Sequence, residues 1–162
     1  MFEIVRLVRF DALPHCLMRT SRRGRTLRVR EQPRPPMRVL IADDHQIIRK
    51  GITSILQSRE DIQVCGEAAN GKEAVSKAQL LKPDLLILDI SLPDSNGLEV
   101  ATAIKKLLPE VSILLLSAYA GKQLSEEVKR RGFQGFISKN DAAKTLLGAV
   151  DEIVHLKQNF YS

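Results

Sequence analysis

From Arg38 onward, apolar residues fall into two alternating patterns: short unbroken runs, then positions repeating every three or four residues. The most regular run is Leu85, Leu86, Ile87 and Leu88, which begins after Pro83-Asp84, stops on Asp89 and gives way to a turn rich in Pro, Asp, Asn and Gly. A run without polar alternation marks a strand covered on both faces, the kind found in parallel sheets flanked by helices. Residues 39–42 form a similar run ending at Asp43-Asp44. Residues 62–68 predict another strand, placed at a sheet edge because Gln63, Cys65 and Glu67 interrupt its apolar positions. Strands are also expected over 111–117, ending in Ser117, and over 133–138, leading to Lys139.

Helical spacing fills the intervals. Ile47, Ile48, Gly51, Ile52, Ile55 and Leu56 predict a first helix, and Ala74, Val75, Ala78 and Leu81, after an Asn70-Gly71 turn, a second. Helices follow over about 97–108 and 122–131, and Asp141 caps a last one whose Leu146, Leu147, Val150, Ile153 and Val154 share a face. Strands alternating with helices demand a parallel sheet with right-handed crossovers and helices on both faces. The fold class expected is α/β, a doubly wound five-stranded parallel sheet. The absence of a Gly-rich phosphate loop favours the flavodoxin-like order 2-1-3-4-5. Neither GxGxxG nor GxxxxGK followed by Ser or Thr occurs, which argues against dinucleotide and P-loop functions.

Composition changes this picture in one respect. The net charge of +6 suggests a polyanion binder until it is located: residues 1–36 hold nine Arg, no Lys and three acids, and residues 37–162 are neutral. Attraction to polyanions could therefore come only from the leading segment, which reads as a solvated tail, and the chain itself is expected to bind no nucleic acid. That segment carries Pro14, Pro33, Pro35 and Pro36 and no sustained period, so residues 1–36 are expected to be a basic, disordered extension. Met37 stands immediately before the first strand and is a candidate natural start. Residues 37–157 would form the folded domain and 158–162 a tail or the start of a linker. Cys16 and Cys65 form no disulfide framework or CxxC pattern, which fits a cytoplasmic protein. No apolar run reaches the roughly 20 residues that span a bilayer.

The polar residues closing the strands converge. In the order 2-1-3-4-5 the first and third strands are neighbours, so Asp43, Asp44 and Asp89 meet at the carboxyl edge of the sheet, where open α/β folds place their ligands. Ser117 and Lys139 end the next two strands beside them. Singly, each residue has a plainer reading: an Asp pair turns a chain, a Ser bonds backbone and a Lys faces solvent. Together, three carboxylates repel one another unless a cation sits among them. Oxygen ligands favour a hard ion, Mg2+ or Mn2+. A carboxylate beside such an ion, with an ammonium opposite, suits nucleophilic attack on a phosphoryl group and formation of an aspartyl phosphate.

On these residues the chain resembles the response-regulator receiver domains (CheY-like) of bacterial two-component signalling. MRVLIADDH, DLLILDISLPDSNGLE, ILLLSAY and GFISK all match that pattern, and ADDH with AANGKEA and SAY is most similar to the NarL/FixJ class. The resemblance implies that Asp89 accepts phosphate from a sensor histidine kinase. It implies that Asp44, Asp89 and the backbone carbonyl of Ser91 bind Mg2+, with Asp43 acting through water. Lys139 would pair with the phosphate, Ser117 would turn inward to a phosphoryl oxygen, and Phe136 would follow it from solvent toward the core. Ser91 and Tyr119 occupy positions the family uses to tune phosphate lifetime. The fourth helix, fifth strand and last helix, with Glu126, Glu127, Lys129, Arg130, Arg131 and Asp141, would form a mixed-charge surface suited to homodimer pairing. No chemical role is expected for His45, nor any for His155 or Cys65 beyond packing or surface.

The resemblance implies transcription regulation if a C-terminal helix-turn-helix domain belongs to the protein, and protein-protein binding if it is a stand-alone receiver. The rival of another class is a haloacid-dehalogenase-type phosphatase with Asp89 as nucleophile. That enzyme expects a second Asp two residues on, where this chain has Ser91. A receiver that pairs without phosphate is argued against by the complete set of Asp43, Asp44, Asp89, Ser117 and Lys139. A receiver is not an enzyme beyond its own phosphorylation and dephosphorylation.

Overall fold

The apolar runs become five strands, β1 (Met37–Ala42), β2 (Ile62–Ala68), β3 (Leu85–Asp89), β4 (Ser112–Ser117) and β5 (Gly135–Ser138). They pair in parallel in the order β2-β1-β3-β4-β5. Between and after them run α1 (Gln46–Leu56), α2 (Gly71–Leu81), α3 (Gly97–Leu107), α4 (Lys122–Arg130) and α5 (Ala142–Phe160). The computed structural model describes residues 35–119 and 121–160, with side chains to Lys157. The extension expected over 1–36 lies outside the described residues except for Pro35 and Pro36, and α5 takes in residues 158–160 of the expected tail.

Strand alternation divides the core into two layers. Val39, Ile41, Leu85, Ile87, Leu114, Leu116 and Ile137 face Ile52 and Leu56 of α1 and Leu146, Val150 and Ile153 of α5. Leu40, Ala42, Leu86, Leu88, Ile113 and Leu115 face Ala74 and Ala78 of α2, Val100, Ala101 and Ile104 of α3, and Val128 of α4. This explains the unbroken apolar runs, since every residue of β3 and β4 is buried. β2 is an edge strand, as its interrupted pattern implied. Its register to β1 shifts between Val39 and Leu40, leaving Cys65 unmatched as a bulge.

Two strand starts differ by two residues from the sequence expectation. β1 starts at Met37 because the Met37 N–H donates to the Asp61 carbonyl at 2.8 Å and extends the pairing with β2. β5 starts at Gly135, two residues later than expected, because Phe133 belongs to the exit of α4. Gly132 takes φ +70°, the Gly132 N–H donates to the Lys129 carbonyl and the Phe133 N–H to the Val128 carbonyl, each at 3.1 Å. This is the Schellman helix end, and its usual apolar contact is made by Phe133 and Val128 within the same core layer. Phe133 is thus buried by a helix cap, where its apolarity alone read as strand.

The loops after β2 and β3 fix the carboxyl edge. Asn70 caps α2 by accepting from the Glu73 N–H at 2.9 Å, and Glu73 accepts from the Ala69 N–H at 2.7 Å, a variant of the capping box. Asp94, from the loop after β3, also accepts from the first N–H groups of α2, Gly71 at 2.8 Å and Lys72 at 3.2 Å. Those contacts hold the Asp94 carboxyl below the ordinary carboxylate range. Asn96 caps α3 through the Leu98 N–H at 2.9 Å. Gly97 follows, where a Cβ would lie 2.2 Å from the Asp89 carbonyl oxygen and 2.7 Å from the Ile90 Cα, both rigid backbone. Gly97→Ala is expected to destabilise the domain by about 2–3 kcal/mol. Urea denaturation checks this, and Gly51→Ala, whose Cβ meets nothing within 4 Å, should cause no comparable loss.

Candidate functional site

Strand register assembles the acidic edge. Ala42 pairs with Leu88, so Asp43 and Asp89, one residue further on, leave neighbouring strands at the same level. Asp89 pairs with Leu116, and Leu116 with Ile137, so alternation puts the side chain of Lys139, two past Ile137, on the same side of the sheet. Its ammonium lies 2.7 Å from Asp43 Oδ2 and 2.7 Å from Asp89 Oδ2. The Lys139 N–H donates to the Ser117 carbonyl at 2.8 Å and anchors its backbone to β4.

Burial makes these charges matter. Asp43 and Asp89 are 0% and 1% exposed. The Asp89 carboxylate accepts from the Ser91 N–H on Oδ1 at 3.0 Å and from Lys139 on Oδ2. Asp43 Oδ1 accepts from the His45 N–H at 2.8 Å. Its other oxygen has the ammonium at 2.7 Å as a charge contact and is a buried acceptor without a hydrogen bond. Desolvation, the largest influence on Lys139, lowers its pKa; the contacts with Asp43 and then Asp89 outweigh it and hold the ammonium above 10.5. A folded pKa above the unfolded one means that this stabilisation is complete below about pH 10.5 and is lost only as pH rises through the folded value.

The three carboxylates form a coherent set for a hard divalent ion, and His45 lies among them. Ligand atoms of Asp43, Asp44, His45 and Asp89 all lie within 4.8 Å of one another. One ammonium against three carboxylates leaves an excess of negative charge, and Asp43 Oδ2 is a buried acceptor without a hydrogen bond. Both features call for a second cation. Asp44 is the more open member, its side chain 33% exposed.

The remaining expected site residues are arranged differently. The Ser117 hydroxyl donates to the Tyr119 carbonyl at 2.6 Å and accepts from the Tyr119 N–H at 3.1 Å, so it is engaged by the loop after β4. Alternation explains this, because Ser117 is one residue past Leu116 and leaves the strand on the opposite side from Asp89 and Lys139. Tyr119 is 87% exposed. Phe136, expected to start from solvent, is instead half-buried and packs against the layer containing α2, α3 and α4. That follows from its register opposite Leu115, a residue of the same layer.

On the expected pairing surface, Glu127 is tied to Arg130 and Arg131 within α4, and Arg131 reaches α3, donating to Thr102 Oγ1 at 2.8 Å. Arg131 and Glu127 therefore serve to hold α4 to its neighbours. Two residues near the acids were not singled out for chemistry in the sequence. His45 Nδ1 lies 2.6 Å from Asp44 Oδ1 and 3.2 Å from Asp43 Oδ1. Arg49 donates to the Asp43 carbonyl at 2.6 Å and, through Nε, to Glu67 at 3.0 Å. His45 could have been found from its place directly after the acid pair; Arg49 carried no such signal.

A doubly wound sheet that brings an acid pair, a third carboxylate and a lysine to one carboxyl edge defines the receiver modules of two-component signalling. Residues 39–151 match the response regulator receiver domain family, and the chain belongs to it. It is 40% identical over 114 residues to the response regulator protein VraR of Staphylococcus aureus, covering 70% of this chain and 54% of that protein. The chain thus spans about half the length of the curated relatives it matches. A LuxR-family two-component response regulator from Aurantimonas sp. SI85-9A1 superposes with a TM-score of 0.70 at 26% identity, covering 74% of this chain and 86% of that one. The isolated receiver domain of RcsB from Salmonella enterica serovar Typhimurium, solved with the phosphomimetic BeF3-, gives 0.67 at 28% identity over 72% and 86%. CheX-CheY-BeF3-Mg2+ from Borrelia burgdorferi gives 0.68 at 29% identity over 74% and 90%. Among the described residues no helix is long and apolar enough to cross a membrane.

Removing the ammonium exposes the repulsion it offsets. Lys139→Met is expected to cost about 2–4 kcal/mol of stability in chelator, less than for a fully enclosed pair because the Lys139 side chain is 16% exposed. Millimolar Mg2+ should recover more stability in the variant than in the parent, as measured by thermal unfolding with and without the ion.

Proposed function

We propose that Asp89 accepts a phosphoryl group from a sensor histidine kinase and that this changes the surface formed by α4, β5 and α5. The output would be transcription regulation through a DNA-binding domain outside this chain. The observation that carries the reading is the ammonium of Lys139 held 2.7 Å from both Asp89 and Asp43 at the carboxyl edge of the sheet.

Asp89 is buried, but it sits at a strand end where a donor can approach. As one Asp89 oxygen bonds to phosphorus, the N–P bond of the phosphohistidine breaks and its electron pair stays with the imidazole. Lys139 is placed to turn from a carboxylate partner into a partner of the phosphoryl oxygens, and the negative groups beside it favour its charged form. Asp43, Asp44, Asp89 and the Ser91 carbonyl would hold Mg2+, which when bound neutralises charge on the transferring group.

Phosphorylation adds charge and three strong acceptors at Asp89. Ser117 would then exchange its two backbone contacts at Tyr119 for a phosphoryl oxygen. The loop between β4 and α4 would follow, and Phe136 would move deeper. α4 suits such a change because Val128 is its one buried residue and its N-cap, Gly121, provides no side-chain cap. Pairing of two copies through this surface is the form of output that a symmetric mixed-charge face supports.

Acetyl phosphate with Mg2+ should add one phosphoryl group to the parent chain, read by intact mass, and none to Asp89→Asn. Continuous turnover of a phosphomonoester would instead favour the phosphatase reading. Ser117→Ala should still be labelled, yet should lose most of the beryllofluoride-induced change in self-association measured by sedimentation. A full response in that variant would remove Ser117 from the switch.

A further inference from the structure

We propose that His45 supplies a nitrogen ligand to the metal site, so that the site prefers late transition ions over Mg2+ more than carboxylates and water alone would make it. The inference rests on the metal-binding reading above and concerns a residue that reading does not use.

His45 stands at the N-cap of α1, in extended conformation with φ −86° and ψ 108°, yet its side chain makes no cap hydrogen bond to the helix. The ring turns back over the acid pair instead. Its backbone N–H donates to Asp43 Oδ1 at 2.8 Å, which places the residue beside the cluster. Nδ1 lies 2.6 Å from Asp44 Oδ1 and 3.2 Å from Asp43 Oδ1. The ligand atoms of all four residues fall within 4.8 Å of one another, close to the roughly 4.2 Å between opposite ligands of one small octahedral ion.

A second observation points to a ligand there: Asp43 Oδ2 is fully buried and accepts no hydrogen bond, with the Lys139 ammonium at 2.7 Å as its counter-charge. Four donor atoms in reach of one point, one of them an imidazole nitrogen, make a mixed oxygen and nitrogen set. Mg2+ gains little from such a nitrogen, because it favours oxygen and keeps its waters. Co2+ and the later ions gain more, since affinity rises along the series and imidazole suits them. The ring is 61% exposed, so it can rotate onto an ion without opening the core.

The test compares the parent chain with His45→Ala by calorimetric titration of Mg2+ and of Co2+, and by pulsed electron paramagnetic resonance of the Mn2+ form. Co2+ affinity should fall about tenfold or more in the variant, with Mg2+ affinity unchanged. The 14N modulation of an imidazole on Mn2+ should be present in the parent and absent in the variant, which retains His15 and His155. Unchanged Co2+ affinity, or no 14N modulation in the parent, overturns the inference and leaves the Mg2+ site standing. A parallel loss of Mg2+ affinity also overturns it, by making His45 a positioning partner of Asp44. If neither protein binds a divalent ion, the metal-binding reading fails with it.

Discussion

Repulsion among carboxylates at one edge of the sheet is the constraint from which the rest of the site follows. β1 and β3 are neighbours in register, so burying their apolar runs forces Asp43 and Asp89 to the same level with almost no solvent to screen them. Close like charges in a poorly solvated site are tolerated only with a counter-charge. Lys139 provides one, and it can do so only because β5 ends on the far side of β4 with the matching side-chain direction. One ammonium remains too little for three carboxylates. That deficit makes the edge receptive to a metal ion and to chemistry that redistributes negative charge.

The same alternation that unites Asp43, Asp89 and Lys139 separates Ser117 from them. To reach Asp89 in the proposed switch, a hydroxyl leaving β4 on the other side would need a loop rearrangement, and in this structure it donates to the Tyr119 carbonyl and accepts from the Tyr119 N–H. The contacts at stake are ordinary hydrogen bonds, each worth about 1 kcal/mol net. In the proposed switch, a charged acceptor at Asp89 would compete with them. The fold thus separates a charge site held by sheet register from a loop that, in the proposed switch, would respond by exchanging a few hydrogen bonds.

That division continues into the helices. α3 buries Val100, Ala101 and Ile104, and α5 buries Leu146 and Val150 among others, whereas α4 buries Val128 alone. Arg131, donating to Thr102 of α3, and the Schellman turn at Gly132 secure the far end of α4. Its N-terminal end, next to the Ser117 loop, has no side-chain cap. In the proposed switch, motion at that end would be coupled to the site and motion at the other end resisted.

Much of this was legible from the chain alone, because burial on both sheet faces leaves a direct mark: unbroken apolar runs that stop at Asp43, Asp89 and Ser117. The two-faced core and edge position of β2 follow from those runs, and the strand order was favoured by the absence of a Gly-rich phosphate loop among the common doubly wound orders. Where apolarity had two possible causes the sequence was ambiguous, as at Phe133, which a helix cap buries, and Phe136, which lies half-buried by register. Sequence composition could not indicate the approach of Lys139 to Asp43 as well as Asp89, the capture of Ser117 by Tyr119, the reach of Asp94 to α2 or the turn of His45 over the acids. Those depend on side-chain direction and on contacts between segments distant in the chain, and only packing the sheet with its helices decides them.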